Sequence, residues 1–144
     1  MNIFNYCYCK KGSEDIINVN MENELMEFDF KNVNLFSYND VKTVCRVVDV
    51  YDGDTCTIIF SYKNEIIKYK VRCMGYDSPE MKPSLKKENR DEEKEKAKIA
   101  KEFFKTLVNY EKGLIYIHIH NFDKYGRLLG TFYKDNTFSG KSIN

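Results

Sequence analysis

No stretch of this chain is apolar for long enough to cross a membrane, and the opening residues, MNIFNYCYCKKG, lack the apolar centre of a secretory signal. The expectation is an intracellular, reduced protein, and the cysteines agree. There are five, Cys7, Cys9, Cys45, Cys56 and Cys73, an odd number that does not make a disulfide framework. Three of them sit in apolar runs, where a reduced thiol packs as a small hydrophobe. The CYC at residues 7–9 has no second half to complete a metal site. Ordinary cysteines near a chain end explain it better than a metal fragment or a lipidated pair beside Lys10 and Lys11. No segment repeats. Net charge is scarce too, only +1, but the charge is unevenly placed. Residues 1–40 hold three basic and seven acidic side chains; the remainder holds twenty and fifteen. An acidic lead in front of a basic body points the body toward an anionic partner. The abundance of Asn, Lys, Ile and Tyr is that of AT-rich coding sequence, as in viral or parasitic genomes.

What is present suits one domain of ordinary size, with 42% hydrophobic residues to fill a core. Residues 1–40 show no sustained period and read as a weakly ordered acidic extension with room for one short helix or strand. From Val41 the text becomes regular. VKTVCRVVDVYDG predicts a strand with Val44, Val47, Val48 and Val50 as filling, ending on the turn dipeptide Asp52-Gly53. DTCTIIFSYKNE predicts a second strand that closes on Lys63-Asn64. In the third, IIKYKVRCMGY, Ile67, Tyr69, Val71 and Cys73 share one face, and Lys68, Lys70 and Arg72 the other. Ala97, Ala100, Phe104 and Leu107 recur at helical spacing and predict a helix over about 91–109, ended by Lys112-Gly113. LIYIHIH alternates strictly as a fourth strand, NFDKYGR is a loop, and LLGTFYK is a fifth strand. Three strands, a helix and two strands are the order of an OB-fold, a mainly β (α+β) class in which five strands form a barrel with a helix between the third and fourth. An unrelated α+β sheet is the alternative. The barrel domain is expected over 41–144.

In a meander, the start of one strand and the end of its antiparallel neighbour share an edge. Asp54 should therefore lie near Arg72 and Asp77. Two carboxylates at one place repel unless a cation sits between them, and oxygen ligands suit a hard ion such as Ca²⁺. Glu80, three residues past Asp77, is within reach of a metal-bound water, and Pro79 stiffens the turn. Arginines match phosphate oxygens bidentately. A metal, a carboxylate base and paired arginines are the parts of phosphodiester hydrolysis. Each part alone has a plainer reading: Asp-Gly as a turn, DSPE as the start of a helix or loop, DKYGR as a solvated loop.

As a set, VVDVYDGDTCTI, VRCMGYDSPEMK, AKEFFKTLV and IHIHNFDKYGRLLGTFY closely resemble the staphylococcal nuclease (thermonuclease) family, over Val44 to about Asn144. The resemblance implies an OB barrel and Ca²⁺-dependent cleavage of single-stranded DNA and RNA to 3′-phosphates by a monomer. It implies that Asp54 and Asp77 hold Ca²⁺, with the backbone carbonyl of Ser78. Glu80 would be the general base or would orient the attacking water. Arg72 and Arg127 would clamp the phosphate, with Arg127 also the candidate donor to the leaving oxygen. Lys124 and Tyr125 would contact the phosphate of a bound nucleotide. Two departures stand out. Ser78 replaces the usual Thr, and the family continues past GKSIN into further helices and a Tyr-bearing segment. The apolar residues of the lead, Leu25, Met26, Phe28, Phe30, Val33, Leu35 and Phe36, are the material expected to cover the barrel in their place.

His118 and His120 alternate like two Zn²⁺ ligands, but no third ligand stands at matching spacing, so a packed or solvated strand face is the simpler reading. The mixed charges of 86–98 suit a loop and a solvated helix face better than a phosphate patch. Tyr62, Tyr69 and Tyr133 suit strand filling better than base stacking. Against an active nuclease stand a non-catalytic binding module on the same barrel and a truncated, inactive chain. Such modules lack several of the acidic and arginine positions that Asp54, Arg72, Asp77, Glu80 and Arg127 fill here.

Overall fold

A computed structural model describes residues 19–86, 88–140, 142 and 143; Cys7 and Cys9 lie outside them. The chain divides into two units, Met1–Phe36 and Ser37–Asn144. In the first, the described residues form helix α1 (Val19–Glu27) and a 3-10 turn (Phe30–Asn32). Its apolar side chains Leu25, Met26, Phe28, Val33, Leu35 and Phe36 are exposed.

The second unit holds β1 (Val41–Val50), β2 (Thr55–Tyr62), β3 (Glu65–Cys73), α2 (Arg90–Leu107), β4 (Ile115–Phe122) and β5 (Leu128–Tyr133). The strands close into a barrel in the order β1-β2-β3-β5-β4. This is the mainly β OB architecture, with its helix between the third and fourth strands. The β2–β3 hairpin turns on Lys63 and Asn64, at φ 51° and 67°. Two consecutive positive φ values give the turn twist that antiparallel strands prefer. β3 alternates as expected, with Val71 and Cys73 buried and Lys68 and Lys70 exposed.

β1 departs from the expectation. Its register against β2 shifts between Val47 and Asp49. The extra residue reverses the phase of the strand. Cys45, Val47 and Val50 face inward, while Val44 is exposed and Val48 only half-buried. Without the bulge, the charged Asp49 would point into the core.

The core is Cys45, Val47, Ile58, Phe60, Val71, Ile117, Ile119, Leu128 and Phe132, with Phe104 supplied by α2. Phe104 meets Phe132 edge-on at 6.2 Å between ring centroids. α2 ends earlier than the sequence predicts. Asn109 takes the left-handed φ of 53°, and the Tyr110 N–H returns to the Lys105 carbonyl at 3.0 Å. Asn tolerates that conformation better than most residues, so it stops the helix ahead of Gly113. Lys94–Asp91, Lys96–Glu92, Lys98–Glu95 and Lys105–Glu102 ion pairs line the exposed side of the helix. Each contributes little to stability, as surface pairs do.

The barrel is plugged from within its own unit by Tyr38. This ring is buried, 4.9 Å from Tyr62, 5.8 Å from Phe60, 6.0 Å from Phe122 and 6.1 Å from Tyr69. The following turn places Asp40 at φ 62°, with its carboxylate 2.7 Å from His118 Nε2. The His120 ring lies 4.2 Å from that of His118, tilted by 46°, and bonds Thr131 at 3.0 Å.

Cys45, Cys56 and Cys73 are free and buried. Burial pushes the thiols of Cys45 and Cys73 up to about 12, and Cys56 well above its usual range. Reactivity follows the thiolate. Alkylating agents should therefore spare these three at neutral pH until denaturant is added, as peptide mapping by mass spectrometry would read. Labelling of the native protein at the denatured chain's rate would show that the barrel opens readily.

Candidate active site

The loop between β1 and β2 begins with a local device. The Asp52 carboxylate accepts the Asp54 N–H at 3.1 Å, and the N–H groups of Tyr51 and Asp52 both point to the Thr55 carbonyl. Asp52 is thus a turn-forming residue. Burial, with the Asp54 charge adding to it, raises its carboxyl above the usual range. Gly53 is there for space. A Cβ at that position would come within 2.8 Å of both the Ala100 and Ser78 side chains. The loop is thereby pressed between α2 and the segment after β3. Tyr76 fastens it further, donating its hydroxyl to the Gly53 carbonyl at 2.8 Å.

Asp54 is 4% exposed, a buried carboxylate in need of partners. It has three. Thr55 donates its hydroxyl to Oδ1 at 2.8 Å, the Ser78 N–H reaches Oδ2 at 3.1 Å, and Arg72 lies 3.3 Å from Oδ2. The same Arg72 nitrogen bonds the Asp77 carboxylate. Asp54 and Asp77 therefore converge on one cationic nitrogen, and the single Arg72 charge offsets only one of the two. The cause is pairing: Thr55 sits opposite Arg72 in the β2–β3 ladder, and the Cys73 N–H bonds the Asp54 carbonyl at 2.7 Å.

Arg127 arrives from the other side. β5 pairs parallel to β3, with Arg72 opposite Leu129. The loop before β5 turns on Gly126 at φ 78°, and Asp123 organises it. Its carboxylate takes the N–H of Tyr125 at 2.8 Å, the N–H of Arg127 at 2.9 Å and Arg127 Nε at 2.6 Å. Burial alone would raise the Asp123 carboxyl, but these donors together hold it below the usual range. Arg127 NH1 then reaches Thr55 Oγ1 at 3.4 Å. Thr55 thus links the carboxylate side of the site to the second arginine. Tyr125 is exposed and lies under two cations, Lys124 Nζ at 5.0 Å and Arg127 Cζ at 5.7 Å from its ring centre.

Asp54, Arg72, Asp77, Ser78 and Arg127 thus form one connected group, with Lys124 and Tyr125 beside it. Glu80 does not join. It is exposed and has no bonded partner among the described residues. Ser78 touches Asp54 through its N–H. Thr55, Asp123 and Tyr76 are the members that sequence reasoning passed over. The signal for Asp123 was present, since it lies four residues from Arg127 within DKYGR.

The donor set fits a hard cation. Two carboxylates already share a positive partner, and their oxygens suit Ca²⁺ rather than Zn²⁺. Among the described residues no group of three His, Cys, Asp or Glu forms a complete metal cluster, so a backbone carbonyl and water would supply the other ligands. A cavity of about 370 Å³ opens behind the site, against α2. Its walls include Pro79, Ala100, Phe103, Leu107 and Ile143. These are apolar, while Tyr76, Asp77 and Ser78 add polar groups to the same lining.

Residues 70–144, just over half of the chain, match the family model described as staphylococcal nuclease homologue. The chain belongs to this family. Arg72, Asp77, Ser78, Glu80, Lys124, Tyr125 and Arg127 fall within the matched span; Asp54 and Thr55 precede it. No curated protein matches the chain. Among the described residues, no helix of this family member is long and apolar enough to cross a membrane.

Proposed function

We propose that the chain is a Ca²⁺-dependent endonuclease that hydrolyses single-stranded DNA or RNA to 3′-phosphate products. The observation that carries this reading is the convergence of Asp54 and Asp77 on Arg72, with Arg127 joined to them through Thr55. Isolated acidic turns or loop arginines would not need to meet. Asp54, Asp77 and the Ser78 carbonyl would hold the metal, which supplies positive charge against the phosphate oxygens when bound. Arg72 gives its remaining guanidinium donors to the same phosphate. Glu80, free of other bonds, takes a proton from water as the oxygen attacks phosphorus. The bond from phosphorus to the 5′-oxygen breaks, and Arg127 donates a hydrogen bond to that leaving oxygen, which takes its proton from solvent water. The extra negative charge of the transition state is met by fixed donors, the largest usual contribution to such catalysis. Lys124 and Tyr125 hold the neighbouring nucleotide.

Cleavage of an end-labelled single-stranded oligonucleotide with Ca²⁺, and its loss with chelator, tests the activity. A melting series tests the metal. Ca²⁺ should raise the melting temperature of the wild-type chain by linkage to the folded state, and Asp54→Asn should remove the gain. An equal gain in the variant would take Asp54 out of the metal site. Binding of the strand without any cleavage would favour the non-catalytic module.

A further inference from the structure

The outer face of β3 carries a basic row of which the site itself uses only the last member, Arg72. Lys68, Lys70 and Arg72 alternate along the strand, and Val71 and Cys73 between and beyond them are buried. Lys68 and Lys70 are exposed and have no ion-pair partner among the described residues. A third exposed cation shares the face, two strands across from Lys68: Arg46 pairs with Ile59, and Ile59 with Lys68. Besides Asp54 and Asp77 at the Arg72 end, one acid on β1, Asp49, shares this face. It faces Thr57, which faces Lys70, so it is two strands from the row, about 10 Å.

Alternate residues of a strand are about 6.8 Å apart. That is close to the step between successive phosphates of an extended single strand. The row also has a direction. It ends at Arg72, whose guanidinium lies between Asp54 and Asp77. Beyond Arg72, on the far side of the β3–β5 seam, lie Arg127, Lys124 and Tyr125. A polyanion following the row would be delivered to the site one phosphate at a time.

We propose that the outer face of β3 is a substrate rail, on which Lys68 and Lys70 bind two consecutive phosphates of a single strand on one side of the bond that is cut. This rests on the nuclease reading and deepens it: the substrate is a strand several nucleotides long rather than a dinucleotide. Electrostatic tracking of the backbone, without base readout, is how sequence-tolerant proteins hold single strands.

The test uses the full chain and oligothymidylates of two and eight nucleotides. With chelator present, octamer binding is followed by fluorescence anisotropy across a salt series. Each phosphate contact on a single strand contributes about 0.7 to the slope of log affinity against log salt. Lys68→Gln/Lys70→Gln should therefore flatten that slope by about 1.4. With Ca²⁺, the preference in kcat/KM for the octamer over the dinucleotide should fall toward one in the double variant. The charge-matched pair Lys112→Gln/Lys134→Gln, away from the row, should retain the slope and the preference. An unchanged slope in the β3 variant, or an equal change in the control pair, overturns the rail while leaving the nuclease standing. A wild-type chain that neither binds nor cuts the octamer overturns both.

Discussion

Arg127→Ala should slow cleavage by about 10²–10⁴ while the barrel still melts cooperatively, because it removes a fixed donor from the developing charge. The surroundings of the side chain support this expectation. Its Nε is occupied by Asp123 at 2.6 Å and its NH1 lies 3.4 Å from Thr55. Two of the three guanidinium nitrogens thus fix the plane of the fork, which leaves NH2 as the donor that the proposed mechanism assigns to the substrate. Arg127→Lys keeps the charge but loses the planar fork, so it should recover only part of the lost rate. Single-turnover cleavage of a labelled strand with Ca²⁺ reads the effect, and circular dichroism checks the fold. Glu80→Gln belongs in the same series, because Glu80 reaches no other group and its loss should cost rate alone. Wild-type turnover in folded Arg127→Ala would assign the chemistry elsewhere.

Tyr38→Ala should lower stability by about 3–5 kcal/mol, the usual cost of emptying a buried aromatic site. A domain of this size has only about 5–15 kcal/mol in all. Four rings surround Tyr38 within 6.1 Å, and it is 6% exposed. Its removal leaves a hole where Phe60, Tyr62, Tyr69 and Phe122 meet, and those rings are too stiff to fill it. Tyr38→Phe retains the ring and should lose far less. Urea denaturation of the three proteins measures the difference. A Tyr38→Ala midpoint close to wild type would mean that the end of the barrel is held by its other aromatic residues.

Tyr38 also marks where the sequence was hard to read. It lies in a stretch without period, and one ring in a polar turn gives no pattern. Its burial comes from partners on β2, β3 and β4, none of them local. The strands themselves were legible because period-two alternation and turn dipeptides are local signals, as β3 and the Lys63-Asn64 hairpin demonstrate. The β1 bulge was not, since an extra residue leaves a valine-rich run looking uniform. Gly53 read correctly as loop glycine but for another reason, since the contact that requires it comes from Ala100, far along the chain. In the candidate site, the nearness of Asp54, Arg72 and Asp77 followed from antiparallel pairing alone. That Arg127 joins them needs the parallel closure of β5 on β3, which no local pattern encodes. Glu80 had its place argued from spacing, and the fold leaves it at the surface.

The closure of the barrel has a consequence of its own. β3 and β5 meet over three residue pairs, Val71 with Leu128, Arg72 with Leu129 and Cys73 with Gly130, whereas β2 and β3 share eight. The shortest seam among the described residues is therefore the one that separates the two arginines. An open sheet with every hairpin intact would still present Arg72 with its carboxylates, and Arg127 would be elsewhere. Assembly and competence are the same event in such an architecture. On the nuclease reading proposed above, a newly made or partly unravelled chain would hold only half of the machinery and would not cut nucleic acid before its fold is complete.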